Sequence, residues 1–155
     1  MVEGWLTQPH VRRWWSPPEE ALAEIKQIAA DPAFDCYIVS IDGREVGYLQ
    51  SYDPHAWPDH PFADAPRGSR GLDMFIGEPD LIGRGHGTRL TRHFIDTLFE
   101  NGVPEVRIDP HPDNVIAIRA YEKAGFVAYG ERDTEWGRVL LMRQANPALS
   151  GNRAT

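Results

Sequence analysis

The sequence predicts an α+β domain: one mixed, largely antiparallel sheet flanked by helices. Three observations point there. Asp42-Gly43 separates two β-branched and aromatic runs, the signature of a tight hairpin. Residues 71–124 run strand, helix, strand, helix. Residues 126–143 then close the fold with a second hairpin.

Each element has its own local cause. Ser16-Pro17-Pro18-Glu19 offers a capping Ser, an early-turn Pro and a Glu three residues after the cap. Leu22, Ile25, Ile28 and Ala29 continue it as an apolar stripe, which predicts a helix over 17–30, ending before Pro32. Strands are expected at 36–41 and 45–52. Residues 53–70 are rich in proline and lack periodicity, so they read as a long loop, of a length that is usually functional or disordered. Leu72, Met74 and Ile76 alternate with Asp73 and Phe75, giving a strand at 71–77. Leu90, Phe94, Ile95, Leu98 and Phe99 share one face of a helix over 88–101. A short strand follows at 105–109. Asn114 caps a helix that runs through Ala124 and stops at Gly125. Residues 126–131 and 136–143 form the last hairpin. Residues 1–145 make one domain, and the polar stretch 146–155 is expected to fray.

Composition narrows the function. The chain has 155 residues, 41% of them hydrophobic and 25% charged, as in an ordinary globular domain. No run approaches the roughly 18 apolar residues of a membrane span, and no secretory signal opens the sequence. Cys36 is the only cysteine, which excludes an internal disulfide and fits a reducing cytoplasm. A net charge of −7 argues against a nucleic-acid partner and is compatible with a cationic substrate. His55 and His60 with Asp59 match no metal-ligand spacing, so no metal is expected.

The most informative segment is Leu81-Ile82-Gly83-Arg84-Gly85-His86-Gly87-Thr88. Alternating glycines let backbone amides turn toward a ligand, and the helix behind them adds unsatisfied N–H groups and partial positive charge. This combination suits a phosphate. It is neither the P-loop pattern nor the dinucleotide fingerprint. Arg84, His86, Arg89, Arg92 and His93 gather there, whereas Asp53, Asp59, Asp64, Asp73, Asp109 and Asp113 lie outside it.

Downstream stand Asp109-Pro110-His111-Pro112-Asp113-Asn114 and Tyr121-Glu122-Lys123-Ala124-Gly125-Phe126. Together with the glycine loop they resemble the GNAT superfamily of acyl-CoA-dependent N-acetyltransferases over roughly residues 10–144. Val11-Arg12-Arg13-Trp14-Trp15, Val46-Gly47-Tyr48-Leu49-Gln50-Ser51-Tyr52 and Arg70-Gly71-Leu72-Asp73 resemble the aminoglycoside 6′-N-acetyltransferase type within it. The resemblance implies two splayed strands, 71–77 and 105–109, with acetyl-CoA between them as acyl-donor substrate. Its pyrophosphate would sit on Gly83, Arg84, Gly85, His86, Gly87 and Thr88. An amide among Met74, Phe75 and Ile76 would bind the thioester oxygen, and Asn114 and Ala117 would touch the pantetheine arm. Ile82 departs from the superfamily's usual Gln or Arg at that position.

Tyr121 would protonate the departing thiolate, and Asp109 would orient or deprotonate the amine. A carboxyl near its ordinary pKa is a poor base for an ammonium, so the site must raise that pKa, use a water, or let Asp109 only position the substrate. Asp73 would hold an ammonium or hydroxyl, and Trp14 and Tyr52 would wall the acceptor pocket with Trp15, Tyr48 and Trp57. The expected activity is acetyl transfer to a primary amine of a small polycation, an aminoglycoside above all, by a monomer or homodimer. One alternative is acylation of a hydroxylated lysine in siderophore assembly, a group that usually carries His at the position of Asp73. Another is a non-catalytic acyl-CoA or antibiotic-binding module, against which Asp73, Asp109 and Tyr121 together argue. N-terminal acetylation of proteins is a weaker rival.

Overall fold

A computed structural model describes residues 1–150. It contains helices α1 (Val2–Leu6), α2 (Pro9–Arg12), α3 (Pro18–Ala29), α4 (His86–Glu100), α5 (Val115–Ala124) and α6 (Pro147–Ser150). Its strands are β1 (Phe34–Ile41), β2 (Arg44–Tyr52), β3 (Arg70–Ile76), β4 (Glu105–Ile108), β5 (Val127–Thr134) and β6 (Gly137–Ala145). They form one six-stranded sheet in the order β1-β2-β3-β4-β6-β5. Only β3 and β4 run parallel; every other neighbour is antiparallel. The α+β expectation therefore holds, with α4 as the crossover that a parallel pair requires.

Both faces of the sheet are covered. On one, Leu49, Leu72, Val106, Ile108 and Met142 pack with Ile95 of α4 and Tyr121 and Ala124 of α5. On the other, Tyr48 and Phe75 pack with Trp5, Leu6, Val11, Ala21 and Ile25 of the first three helices. Strand alternation divides β3 accordingly: Leu72 and Met74 face α4 and α5, while Asp73 and Phe75 face the opposite way. No helix among the described residues is long and apolar enough to cross a membrane.

Four local expectations change. Helices α1 and α2 stand where no element was expected; they are five and four residues long, too short to print a period on the sequence. The cap of α3 is Pro17 and not Ser16, because Pro18 takes the first helical position; Ser16 Oγ bonds Glu24 at 3.5 Å instead. Helix α4 begins at His86, so Gly87 lies inside its first turn. The expected frayed tail is anchored at its start: Asn146 is buried, donates to the Phe99 and Val103 carbonyls and accepts from the Ala148 amide. Residues 151–155, the rest of that tail, lie outside the described residues.

The segment between β2 and β3 is ordered by burial. Phe62 is fully buried with Tyr52, Val139 and Leu141, and Trp57 and Phe34 pack against them. Arg107, itself buried on β4, donates to Glu105 at 2.7 Å, to Asp64 at 3.2 Å and to the Tyr129 hydroxyl at 2.8 Å. The loop is thus tied to the sheet beside the start of the β3–β4 split.

Candidate active site

The site begins with a break in the sheet. Strands β3 and β4 pair only at Arg70 with Val106 and at Gly71 with Arg107. Beyond that point β3 continues to Ile76 and β4 to Ile108 without pairing each other. Asp73 and Asp109 each lie two residues past the last pair, at matched positions on the two sides of the opening. Gly71 is required at its root, because the Tyr52 ring lies 2.2 Å from where its Cβ would be.

The gap has a defined polar edge. The Gly77 amide donates to the Val46 carbonyl of β2 at 2.7 Å. Alternation then turns the amides of Phe75 and Asp73 toward β2 as well, and those of Met74 and Ile76 toward the open side. Phe75 therefore drops out as an oxyanion donor, and its side chain is core. The Ile76 carbonyl is already bonded by His10 Nε2 at 2.8 Å. Met74 is the member of the trio that lines the cleft.

That cleft has a volume of about 1120 Å³. It brings together Asp73, Asp109, Tyr121, Trp14, Tyr52, Met74, Asn114 and Ala117, as well as Trp15 and Trp57. Tyr121 and Met74 belong to the α4/α5 face, and Asp73 and Gln50 to the other, so the cleft passes through the split between the strands. Tyr48 is core. Asn114 spends its side chain on the α5 cap, accepting from Ala117 N at 3.3 Å, and lines the cleft as well. Gly83, Arg84, Gly85, His86, Gly87 and Thr88 do not line it. They stand at the start of α4, tied to α5 by Thr88 Oγ1 on the Ala120 carbonyl at 3.3 Å. Gly83 and Gly85 take left-handed conformations with φ of 77° and 81°, and Gly87 has nothing within 4 Å of its missing Cβ. The amides of this first turn have no helical partner of their own.

Burial sets the electrostatics. Asp109 is surrounded by protein, which raises its pKa well above the usual carboxyl value; the Asp73 charge raises it further, while the Trp136 side chain, as a hydrogen-bond donor, pulls the other way. Asp73 is raised by burial, and a bond from Gln50 Nε2 at 3.0 Å opposes that rise. Gln50 is oriented in turn by Tyr48, whose hydroxyl donates to Gln50 Oε1 at 2.7 Å. Tyr121 is raised by burial first and by the two carboxylates second, so its phenol keeps its proton.

The sequence assigned no acceptor-site role to Gln50, Trp136, His60 or His111, all of which line the cleft. Gln50 sits in a quoted motif, but its tie to Asp73 depends on the cross-strand pairing of the two residues. Trp14 packs against His111 with centroids 5.5 Å apart and the rings tilted by 33°, so the turn after α2 and the segment after β4 meet at the cleft. Among the described residues no cluster of three or more His, Cys, Asp or Glu side chains could hold a metal.

Known proteins resemble this arrangement over nearly its whole length. Residues 1–134 match the model of an acetyltransferase (GNAT) domain. The aminoglycoside N(6′)-acetyltransferase type 1 of Klebsiella pneumoniae is 31% identical, over 99% of this chain and 81% of the relative. The crystal structure of aminoglycoside acetyltransferase AAC(6′)-Ib in complex with coenzyme A and kanamycin superposes with a TM-score of 0.85 at 31% identity, covering 99% of this chain and 92% of that one. The N-hydroxyputrescine acetyltransferase of Acinetobacter baumannii is 30% identical over 79% of this chain and 59% of the relative.

Proposed function

This chain belongs to the GNAT family of acetyltransferases, and from that premise we propose that it acetylates a primary amine of a small polycation, an aminoglycoside at its 6′-amine, using acetyl-CoA. The observation that carries the reading is the matched pair Asp73 and Asp109, two residues past the last β3–β4 pairing, in one cleft with Tyr121. Two carboxylates in a partly desolvated gap favour an acceptor with more than one ammonium. The likeness to aminoglycoside acetyltransferases over 99% of the chain supports the same acceptor class.

Transfer is direct. The amine lone pair attacks the thioester carbonyl, a C–N bond forms, and the C–S bond breaks. The Met74 amide, on the open edge of β3, stabilises the developing oxyanion. Asp109 takes the proton lost by the amine; its raised pKa narrows the mismatch that makes an ordinary carboxylate a poor base here. The Tyr121 hydroxyl gives its proton to the leaving thiolate. Residues 83–88 hold the pyrophosphate on the first-turn amides of α4, with Arg84 exposed beside them. Nothing in the route calls for a covalent enzyme intermediate or a metal. A cytoplasmic setting, where acetyl-CoA is made and Cys36 stays reduced, fits this chemistry.

A hydroxamate-type acceptor is the second reading, favoured by the likeness to N-hydroxyputrescine acetyltransferase. Thiol release from acetyl-CoA, measured across aminoglycosides, polyamines, N-hydroxylated diamines and monoamines, separates the two. We expect turnover with kanamycin-like acceptors to exceed that with monoamines of similar size. Turnover confined to N-hydroxylated amines, or none with any polycation, overturns the aminoglycoside assignment.

A further inference from the structure

Two histidines in the cleft share one unusual setting. His60 Nδ1 accepts from the Phe62 amide at 3.0 Å, and His111 Nδ1 accepts from the Asp113 amide at 3.0 Å. A ring nitrogen that accepts a hydrogen bond carries no proton, so each ring bears its hydrogen on Nε2. Neither Nε2 has a protein partner among the described residues. Both rings are also braced: His60 lies 5.3 Å from Tyr52 and 5.1 Å from Phe62, and His111 packs against Trp14. Burial and nearby Arg132 both hold His60 in the neutral form.

We propose that His60 and His111, presented by two separate loops of the cleft, are fixed Nε2–H donors that read hydroxyl or ether oxygens of the acceptor. This rests on the amine-acetylation reading above and sharpens it. The acidic pair attracts any polycation and cannot tell a bare polyamine from a hydroxylated one. An N–H donor can: it bonds an oxygen and gains nothing from an ammonium, which has only donors of its own. An acceptor without oxygens leaves the half-buried His60 donor without a partner, the asymmetry by which a hydrogen-bonding site rejects an analogue lacking that partner; at the more exposed His111 water replaces the missing oxygen in part, and the discrimination is smaller. The substrate class is then an amine set among oxygens, as on an amino sugar.

The test compares kanamycin with spermidine, a polyamine without oxygen, each as substrate and as competitive ligand. Replacing either histidine by Phe keeps a ring for packing and removes the donor. His60→Phe and His111→Phe should each lower kcat/KM for kanamycin roughly three- to tenfold, the worth of one hydrogen bond, while spermidine affinity and acetyl-CoA affinity hold. His60→Asn and His111→Asn keep an oxygen for the amide two residues on and an N–H₂ donor, so they should recover part of the loss. Equal losses for both acceptors indicate a merely structural role and overturn the proposal, as does undiminished discrimination in both Phe variants. Two-bond ¹H–¹⁵N spectra of the wild-type protein give a readout independent of activity: protonated Nδ1 in both rings contradicts the donor assignment. Failure of wild-type protein to bind kanamycin at all would remove the aminoglycoside reading and this inference together. Binding without histidine-dependent discrimination removes only the inference.

Discussion

Asp109 is held among protein atoms beside a second carboxylate, and both effects keep its proton on to a higher pH than in the unfolded chain. The sign for stability follows. A raised folded pKa means that the folded state binds the proton more tightly, so this contribution is complete below the unfolded value near 3.9 and is lost as pH rises through the folded pKa. Asp109→Asn should therefore raise the melting temperature more at pH 8 than at pH 4, by about 2–4 °C for each kcal/mol relieved. The same change should depress kcat, because an amide cannot take the amine proton. Melting curves at the two pH values showing no difference between variant and wild type would contradict the burial argument. Tyr121→Phe isolates the other proton. With CoA affinity held, turnover should fall by about 10²–10⁴-fold where chemistry limits the rate. The sequence pointed to Asp109 and Tyr121 only through the family resemblance of the segments that carry them, since an Asp before Pro and a helix Tyr are by themselves ordinary. Gln50 was not legible, since an uncharged side chain in a strand gives no sign of its partner 23 residues away.

At the scale of elements, the glycine loop separates two demands on one residue type. Gly85 is the N-cap of α4 at φ 81°, where any side chain is strained whatever the ligand does. Gly87 is not left-handed and has open space where its Cβ would stand, so a side chain there costs the fold little. Gly87→Val is thus the cleaner variant, because the isopropyl group meets only what approaches the first-turn amides. CoA affinity should fall roughly tenfold or more with the melting temperature nearly kept. Calorimetry showing unchanged affinity in this variant would make the loop a plain turn. Most elements were readable because periodicity and turn chemistry agreed: Asp42 and Gly43 take the left-handed conformations that a two-residue hairpin needs, and Asn114 and Gly125 bracket α5 as expected. The early start of α4 was hidden because Gly87 reads locally as loop. Helices α1 and α2 were hidden for a different reason: what fixes them is burial of Trp5, Leu6 and Val11 against the sheet, a tertiary cause.

Taken whole, the molecule carries a net charge of −7 and sets two of its carboxylates, Asp73 and Asp109, in one gap. Salt does not simply erase the attraction of this pair for a polycation, because charges set among protein atoms are screened less than surface ones. Salt should slow the encounter of acceptor and enzyme more than it weakens the bound complex. A second consequence is proton release. In the free enzyme Asp73 and Asp109 disfavour each other's ionisation, so the pair holds protons at a pH where isolated carboxyls would be bare. An ammonium arriving between them reverses the balance and favours the doubly ionised pair. Acceptor binding should then release protons to the buffer, more at low pH and progressively fewer as pH rises past the pair's apparent pKa. Calorimetric titration with kanamycin in two buffers of different ionisation enthalpy measures that number directly. Asp73→Asn should reduce it, since the remaining Asp109 no longer feels a second negative charge. Heats independent of the buffer at every pH tested would mean that the pair is already ionised before the cation arrives. Asp109 would then start without a bound proton, and the raised pKa that suits it to the amine's proton would have to be abandoned.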